Sequence, residues 1–174
     1  DGMCGDVVKK EPFVAVICGV KNSGKTTLIT RLVRLLSEKG IRTAVIKHDG
    51  HDFERDIPGT DSYRIREAGA YGTAVFSKYR SFVYKEGCRE TPEEMIAQFP
   101  EAELILIEGM KNSTYPKIEV IRREISGEPA SNPEGRFLIV SDWEDGHFKE
   151  EKMTGLDEIE TILGILLEKA GLNR

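Results

Sequence analysis

The chain has little of what an exported, membrane-spanning or nucleic-acid-coating protein needs. Its three cysteines, Cys4, Cys18 and Cys88, lie far apart and form no C-x-x-C pair. That scatter excludes a disulfide framework and a cysteine-based zinc site, and it fits reduced thiols in a cytosol. No apolar run approaches the roughly 20 residues of a membrane helix, and the first residues lack the apolar core of a signal peptide. Positive charge is in deficit: 25 Lys and Arg stand against 30 Asp and Glu, for a formal net charge of −5. This argues against a broad surface for nucleic acid or anionic lipid. There is no internal repeat or low-complexity tract. A cytoplasmic protein with neither nucleic acid nor membrane as partner is expected. At 174 residues, 39% hydrophobic and 32% charged, residues 1–174 fit a single domain with a substantial core.

What the chain does contain is one very informative string. Residues 19–27 read GVKNSGKTT, a complete match to the phosphate-loop pattern G-x-x-x-x-G-K-[ST]. Gly19 and Gly24 let the backbone turn tightly, so that the N–H groups around Lys21, Asn22 and Ser23 point inward at a β-phosphate. Lys25 would bridge β- and γ-phosphate oxygens, the Thr26 hydroxyl would ligate Mg²⁺, and Thr27 completes the binding string. The helix that follows adds its N-terminal dipole to the same anion.

Context supports the motif. Phe13-Val-Ala-Val-Ile17 upstream reads as a buried strand, and Leu28, Ile29, Leu32, Val33, Leu35 and Leu36 recur downstream at helical spacing. Further strands are expected at 43–46, 73–76, 81–84, 103–107, 117–121 and 137–140. Asp61-Ser62 is expected to cap a short helix, and the capping box Thr91-Pro92-Glu93-Glu94 opens another that should run to about Phe99. A last helix should span about 156–169. The segment 125–135, rich in Gly and Pro, reads as a loose surface loop. Strands alternating with helices point to an α/β fold of the P-loop NTPase type, with a mainly parallel central sheet flanked by helices.

A phosphate-loop protein needs an acid near Mg²⁺, usually at the end of a strand beside the first. Leu104-Ile-Leu-Ile107-Glu108 has that form, so Glu108 is the candidate metal-side carboxylate and, with Lys25, the candidate catalytic pair. The polar run 47–61 reads as a functional loop over the triphosphate, with Asp49 the first candidate for metal contact and Asp56 the second. Asp142 follows the strand at 137–140. A carboxylate there can accept from guanine N1–H and N2–H₂, which adenine does not offer; equally, an Asp in Ser-Asp-Trp forms a turn.

The assembled strings resemble the MobB family, the molybdopterin-guanine dinucleotide biosynthesis adaptor proteins. The resemblance rests on GVKNSGKTT, on VIKHDGHDFERDIPGTDSYRIREAGA from Val45 and on LILIEGMKNSTYPKIEVIR from Leu104. Met110 stands where that family more often has Phe after Glu-Gly, a departure that touches packing more than chemistry. The resemblance implies GTP and Mg²⁺ as cofactors, slow GTP hydrolysis at most, and a homodimer. It also implies partnership with the molybdenum cofactor guanylyltransferase, with molybdopterin or its guanine dinucleotide at hand. Related dimeric switches carry a second lysine directly after the first loop glycine; here that place is Val20, so Lys21 receives no cross-dimer role.

Two functions compete. In the first, the chain is a GTP-binding accessory protein, with Arg64, Arg66, Lys111 and Lys117 as candidates for the pterin phosphate. In the second it is a small phosphotransferase acting on a metabolite. Such kinases close an arginine-bearing lid over the phosphates, and the nearest stretch here, 78–89, reads as a strand pair instead. With no evident arginine finger or strong general base, rapid turnover is not expected.

Overall fold

Five strands of five or six residues and one of two, spaced by helical or polar stretches, build a six-stranded sheet in the order β2-β5-β1-β6-β7-β8. In this computed structural model, residues 10–48, 57–87 and 90–173 are described. The strands are β1 (Phe13–Cys18), β2 (Thr43–Lys47), β5 (Leu104–Glu108), β6 (Lys117–Ile121), β7 (Arg136–Ser141) and β8 (Met153–Thr154). Every ladder in this sheet is parallel. All strand ends that carry candidate site residues therefore face one edge. The inner strand β5, between β2 and β1, is buried from end to end, as its unbroken Leu-Ile-Leu-Ile run requires of a strand covered on both faces.

Helix α1 (Lys25–Glu38) buries Leu28, Ile29, Leu32 and Leu36, and α4 (Ile159–Ala170) buries Ile162, Leu163, Leu166, Leu167 and Ala170. Both stripes meet Ala15, Ile17, Leu104, Leu106, Ile118, Val120, Leu138 and Val140 on one face of the sheet. Each such aliphatic side chain contributes about 1.5–3 kcal/mol by leaving water. The alternate residues Val16, Cys18, Ile105 and Ile107 pack on the other face with Ala102, Ile96, Met110 and Tyr115. β1 thus sits between two cores, and its carboxyl end is held rigidly.

The chain divides into two compact units, the larger formed up to His48 and from Ile96 onward, the smaller from the segment between. Within the smaller unit, α2 (Asp61–Glu67) is capped by Thr60, whose Oγ1 accepts from Tyr63 N at 3.4 Å, in place of the expected Asp61-Ser62. β3 (Gly72–Phe76) and β4 (Ser81–Lys85) form an antiparallel hairpin. The capping box closes as expected, with Thr91 N donating to Glu94 Oε2 at 2.9 Å and Glu94 N to Thr91 Oγ1 at 3.2 Å.

Most strand bounds fall within one residue of the sequence reading, while two helix ends and one short strand differ further. Helix α3 (Pro92–Ile96) stops short of Phe99, because Phe99 precedes Pro100 and the helical conformation is disfavoured there. α4 starts at Ile159, after a turn in which Gly155 N donates to the Glu158 carboxylate. The two-residue β8 is too short for any periodic signal. The segment 125–135 is also not loose: Glu119 accepts from Ala130 N at 2.7 Å and Ser131 N at 2.8 Å, and Arg136 Nη1 donates to Ser131 O at 3.0 Å.

Candidate functional site

The turn from β1 into α1 is built around two glycines in left-handed backbone, Gly19 at φ 149° and Gly24 at φ 98°. A methyl group on Gly19 would lie 2.5 Å from Val120 O and 2.6 Å from Ser23 Oγ, so no other residue fits. Asn22 also adopts positive φ, 64°, which asparagine tolerates better than most residues. Lys25 opens α1, and its side chain folds back over the loop so that Nζ donates to Gly19 O at 2.8 Å. The first turn of α1 contains no acidic residue and no side-chain cap, leaving its N–H groups to the concave side. Ser23 is fully buried, and its Oγ has no hydrogen-bond partner among the described residues. A narrow cradle with an orphaned hydroxyl and unspent N–H groups fits an anionic phosphate.

Glu108 ends β5, the neighbour of β1, and is 9% exposed. Its backbone is clamped between strands: His48 N donates to Glu108 O at 3.0 Å and Gly109 N to Ile17 O at 3.1 Å. Gly109 turns at φ 108°, where a methyl group would lie 2.9 Å from His48 O, and Met110 follows at φ 55°. The Glu108 carboxylate accepts from Thr26 Oγ1 at 2.8 Å. The hydroxyl thus gives its proton to Glu108 and keeps its lone pairs. A hard cation at this point would find a hydroxyl oxygen and a carboxylate, oxygen donors suited to Mg²⁺.

The remaining candidates divide. Lys21 and Thr27 are exposed on the loop and the first turn. Asp142 follows β7, two strands from β1, and is exposed with Oδ1 accepting from Arg123 N at 2.7 Å. Asp49 and Asp56 lie outside the described residues. Arg64 and Lys111 are exposed. Lys117 is not: it is fully buried, and Nζ donates to Glu134 O. That burial, which also holds its ammonium pKa below the usual value, takes it off the surface where a phosphate would be met. Arg66 is buried too, its guanidinium between the Tyr63 and Tyr84 rings and donating to Tyr84 Oη at 2.9 Å. Burial, then the nearby Glu119 charge, pushes the Cys18 thiol up to about 11.

One site residue escaped the sequence reading. Arg122, just past β6, donates from Nε to Ser23 O at 3.1 Å and so touches the phosphate loop itself. The only signal was its place at the end of the KIEVIR string.

The family model for MobB, molybdopterin guanine dinucleotide synthesis protein B, matches residues 14–142. The chain belongs to the MobB family. The match spans β1 through Asp142 and so takes in the loop, Glu108 and Arg122. The chain is 41% identical to the molybdopterin-guanine dinucleotide biosynthesis adapter protein of Escherichia coli (strain K12), over 68% of this chain and 70% of that protein. It is 34% identical to the adapter protein of Haemophilus influenzae, over 63% and 64%. The crystal structure of Bacillus subtilis MobB superposes with a TM-score of 0.73 at 26% identity, covering 90% of this chain and 96% of that one. A second structure, of molybdopterin-guanine biosynthesis protein B, shares the fold with a TM-score of 0.69 at 24% identity. The P-loop NTPase fold expected from the sequence is thereby established. Among the described residues, no helix is long and apolar enough to cross a membrane.

Proposed function

We propose that this MobB-family protein binds GTP with Mg²⁺ and acts as an adapter in molybdopterin-guanine dinucleotide synthesis. The observation that carries the nucleotide half is the cradle at residues 19–27, with Lys25 Nζ over its mouth and Thr26 joined to Glu108. Lys25 would leave Gly19 O for the β- and γ-phosphates, and Thr26 would hold Mg²⁺ with Glu108 acting through a water. Mg²⁺, when bound, neutralises phosphate charge. Asp142, on the edge toward which the nucleoside would extend, would read guanine with the carboxylate oxygen not engaged by Arg123. A Glu108 carboxylate already committed to Thr26 makes a poor general base, so hydrolysis is slow at most.

The adapter half rests on family membership: the guanylyltransferase is the partner, and molybdopterin or its guanine dinucleotide is the cargo. Self-association into a homodimer is supported by the β3–β4 hairpin, where Val75, Phe76, Phe82 and Val83 are 57%, 84%, 48% and 61% exposed. Exposed apolar surface of this kind marks an interface. The compartment is the cytoplasm, and one domain serves the whole function.

Calorimetric titration with GTP and ATP, each with Mg²⁺, tests the nucleotide reading. Preference for GTP is expected. Equal or tighter ATP binding, together with a phosphorylated small molecule formed in a Lys25-dependent way, would replace it with a phosphotransferase.

A further inference from the structure

Arg122 leaves β6 on the side of β1 away from β5. Beyond the Nε bond to Ser23 O, its guanidinium lies against the turn into α1: a methyl group on Gly24 would sit 3.3 Å from Nη2 and 3.6 Å from Nε. Neither Nη1 nor Nη2 has a hydrogen bond, and no carboxylate pairs with the group, among the described residues. Arg122 is half-buried. Its Nη groups remain open to solvent beside the phosphate loop, so the guanidinium offers an uncommitted donor fork to an anion held there.

The order of the sheet says which part of the anion that is. Glu108 at the end of β5, joined by Thr26 from the first turn of α1, marks the metal side; Asp142 marks the base side, past β7; β1 and β6 lie between. A triphosphate stretched along this edge would have its γ end toward β5 and its α end toward β6. On the nucleotide reading given above, we propose that Arg122 binds the α-phosphate of the nucleotide through its Nη groups while its Nε braces the loop at Ser23. Lys25 and Arg122 then grip the phosphate chain from opposite ends.

Arg122→Gln and Arg122→Lys separate bracing from contact. Glutamine keeps an N–H donor where Nε stands and loses the cation, whereas lysine keeps the cation and loses the planar fork. Titration of both variants with GTP·Mg²⁺ and with GDP, alongside their melting temperatures, decides the matter. The expected result is a loss of about tenfold or more for Arg122→Gln, similar for GTP and GDP, with lysine recovering part of it. Arg122→Gln binding as well as the native protein, or better than Arg122→Lys, would overturn the contact and leave only a brace. A loss confined to GTP would overturn the α-phosphate assignment. Failure of the native protein to bind either nucleotide would overturn the cradle reading itself, a result recognisable before any variant is made.

Discussion

Thr26 Oγ1 donates to Glu108 Oε1 at 2.8 Å across 82 residues of chain, tying the first turn of α1 to the end of β5. Neither residue reaches the other through local structure. The parallel pairing of Ile17 with Glu108 brings them together, and the loop at residues 19–27 turns Thr26 back over the strand end.

Glu108→Gln keeps an oxygen for the Thr26 hydroxyl and removes only the negative charge. The melting temperature should hold, while the gain in GTP affinity from Mg²⁺ over EDTA should fall roughly tenfold. A full Mg²⁺ response in this variant would place the metal elsewhere.

Lys25→Ala removes a half-buried cation and no core volume. GTP affinity should drop by about 10- to 100-fold at unchanged stability, as read by titration and thermal melting. Unfolding of the variant would mean that the Nζ bond to Gly19 O is structural.

Gly19→Ala forces a methyl group to within 2.5 Å of Val120 O at φ 149°. A destabilisation of about 1–3 kcal/mol in urea, with loss of nucleotide binding, is expected. A variant that melts normally and binds GTP would show that the loop adopts another shape.

Cys18 supplies a pH dependence whose sign is fixed. The unfolded thiol ionises around its ordinary 9.0, the folded one only at about 11, because burial penalises the thiolate. Between those values the folded chain holds the extra proton. The contribution is therefore complete below pH 9 and is lost as pH rises toward 11, by up to about 1.4 kcal/mol per pH unit. Urea denaturation from pH 8 to 11 should fall less steeply for Cys18→Ala than for the native chain.

Phe76→Ser on the hairpin, 84% exposed, should leave the melting temperature of a monomer intact and shift a dimer toward monomer in light scattering. An unchanged mass would remove the hairpin as the seat of association.

Local geometry was legible where it is written in consecutive residues. GVKNSGKTT marks the turn from β1 into α1, and an apolar run ending in Glu108 marks the buried strand whose end meets Thr26. Arg122 was illegible for the opposite reason: its role depends on β6 lying beside β1, and sheet order is not written in local pattern. Lys117 misled in another way. In Lys117-Ile-Glu-Val-Ile121 the charged residues alternate with apolar ones, which resembles a solvent face. The segment 125–135 folds back over that face instead, offering Glu134 O to Lys117 and two N–H groups to Glu119, so both charges are buried with partners. Asp49 and Asp56 fall outside the described residues, and Asp142 ties its loop to the chain just past β6 by accepting from Arg123 N, while the local turn bond runs from Trp143 N to Ser141 Oγ.

The uniform direction of the six strands also splits the labour of the larger unit between two rims. The carboxyl rim holds the cradle, Glu108, Arg122 and Asp142, while the opposite rim holds turns such as Gly40-Ile41, closed by Ile41 N on Leu36 O at 3.0 Å. That second rim is a handle. A fluorophore, surface tether or fused reporter attached there would stand a full strand length, about 15–20 Å, from the cradle, Glu108 and Arg122.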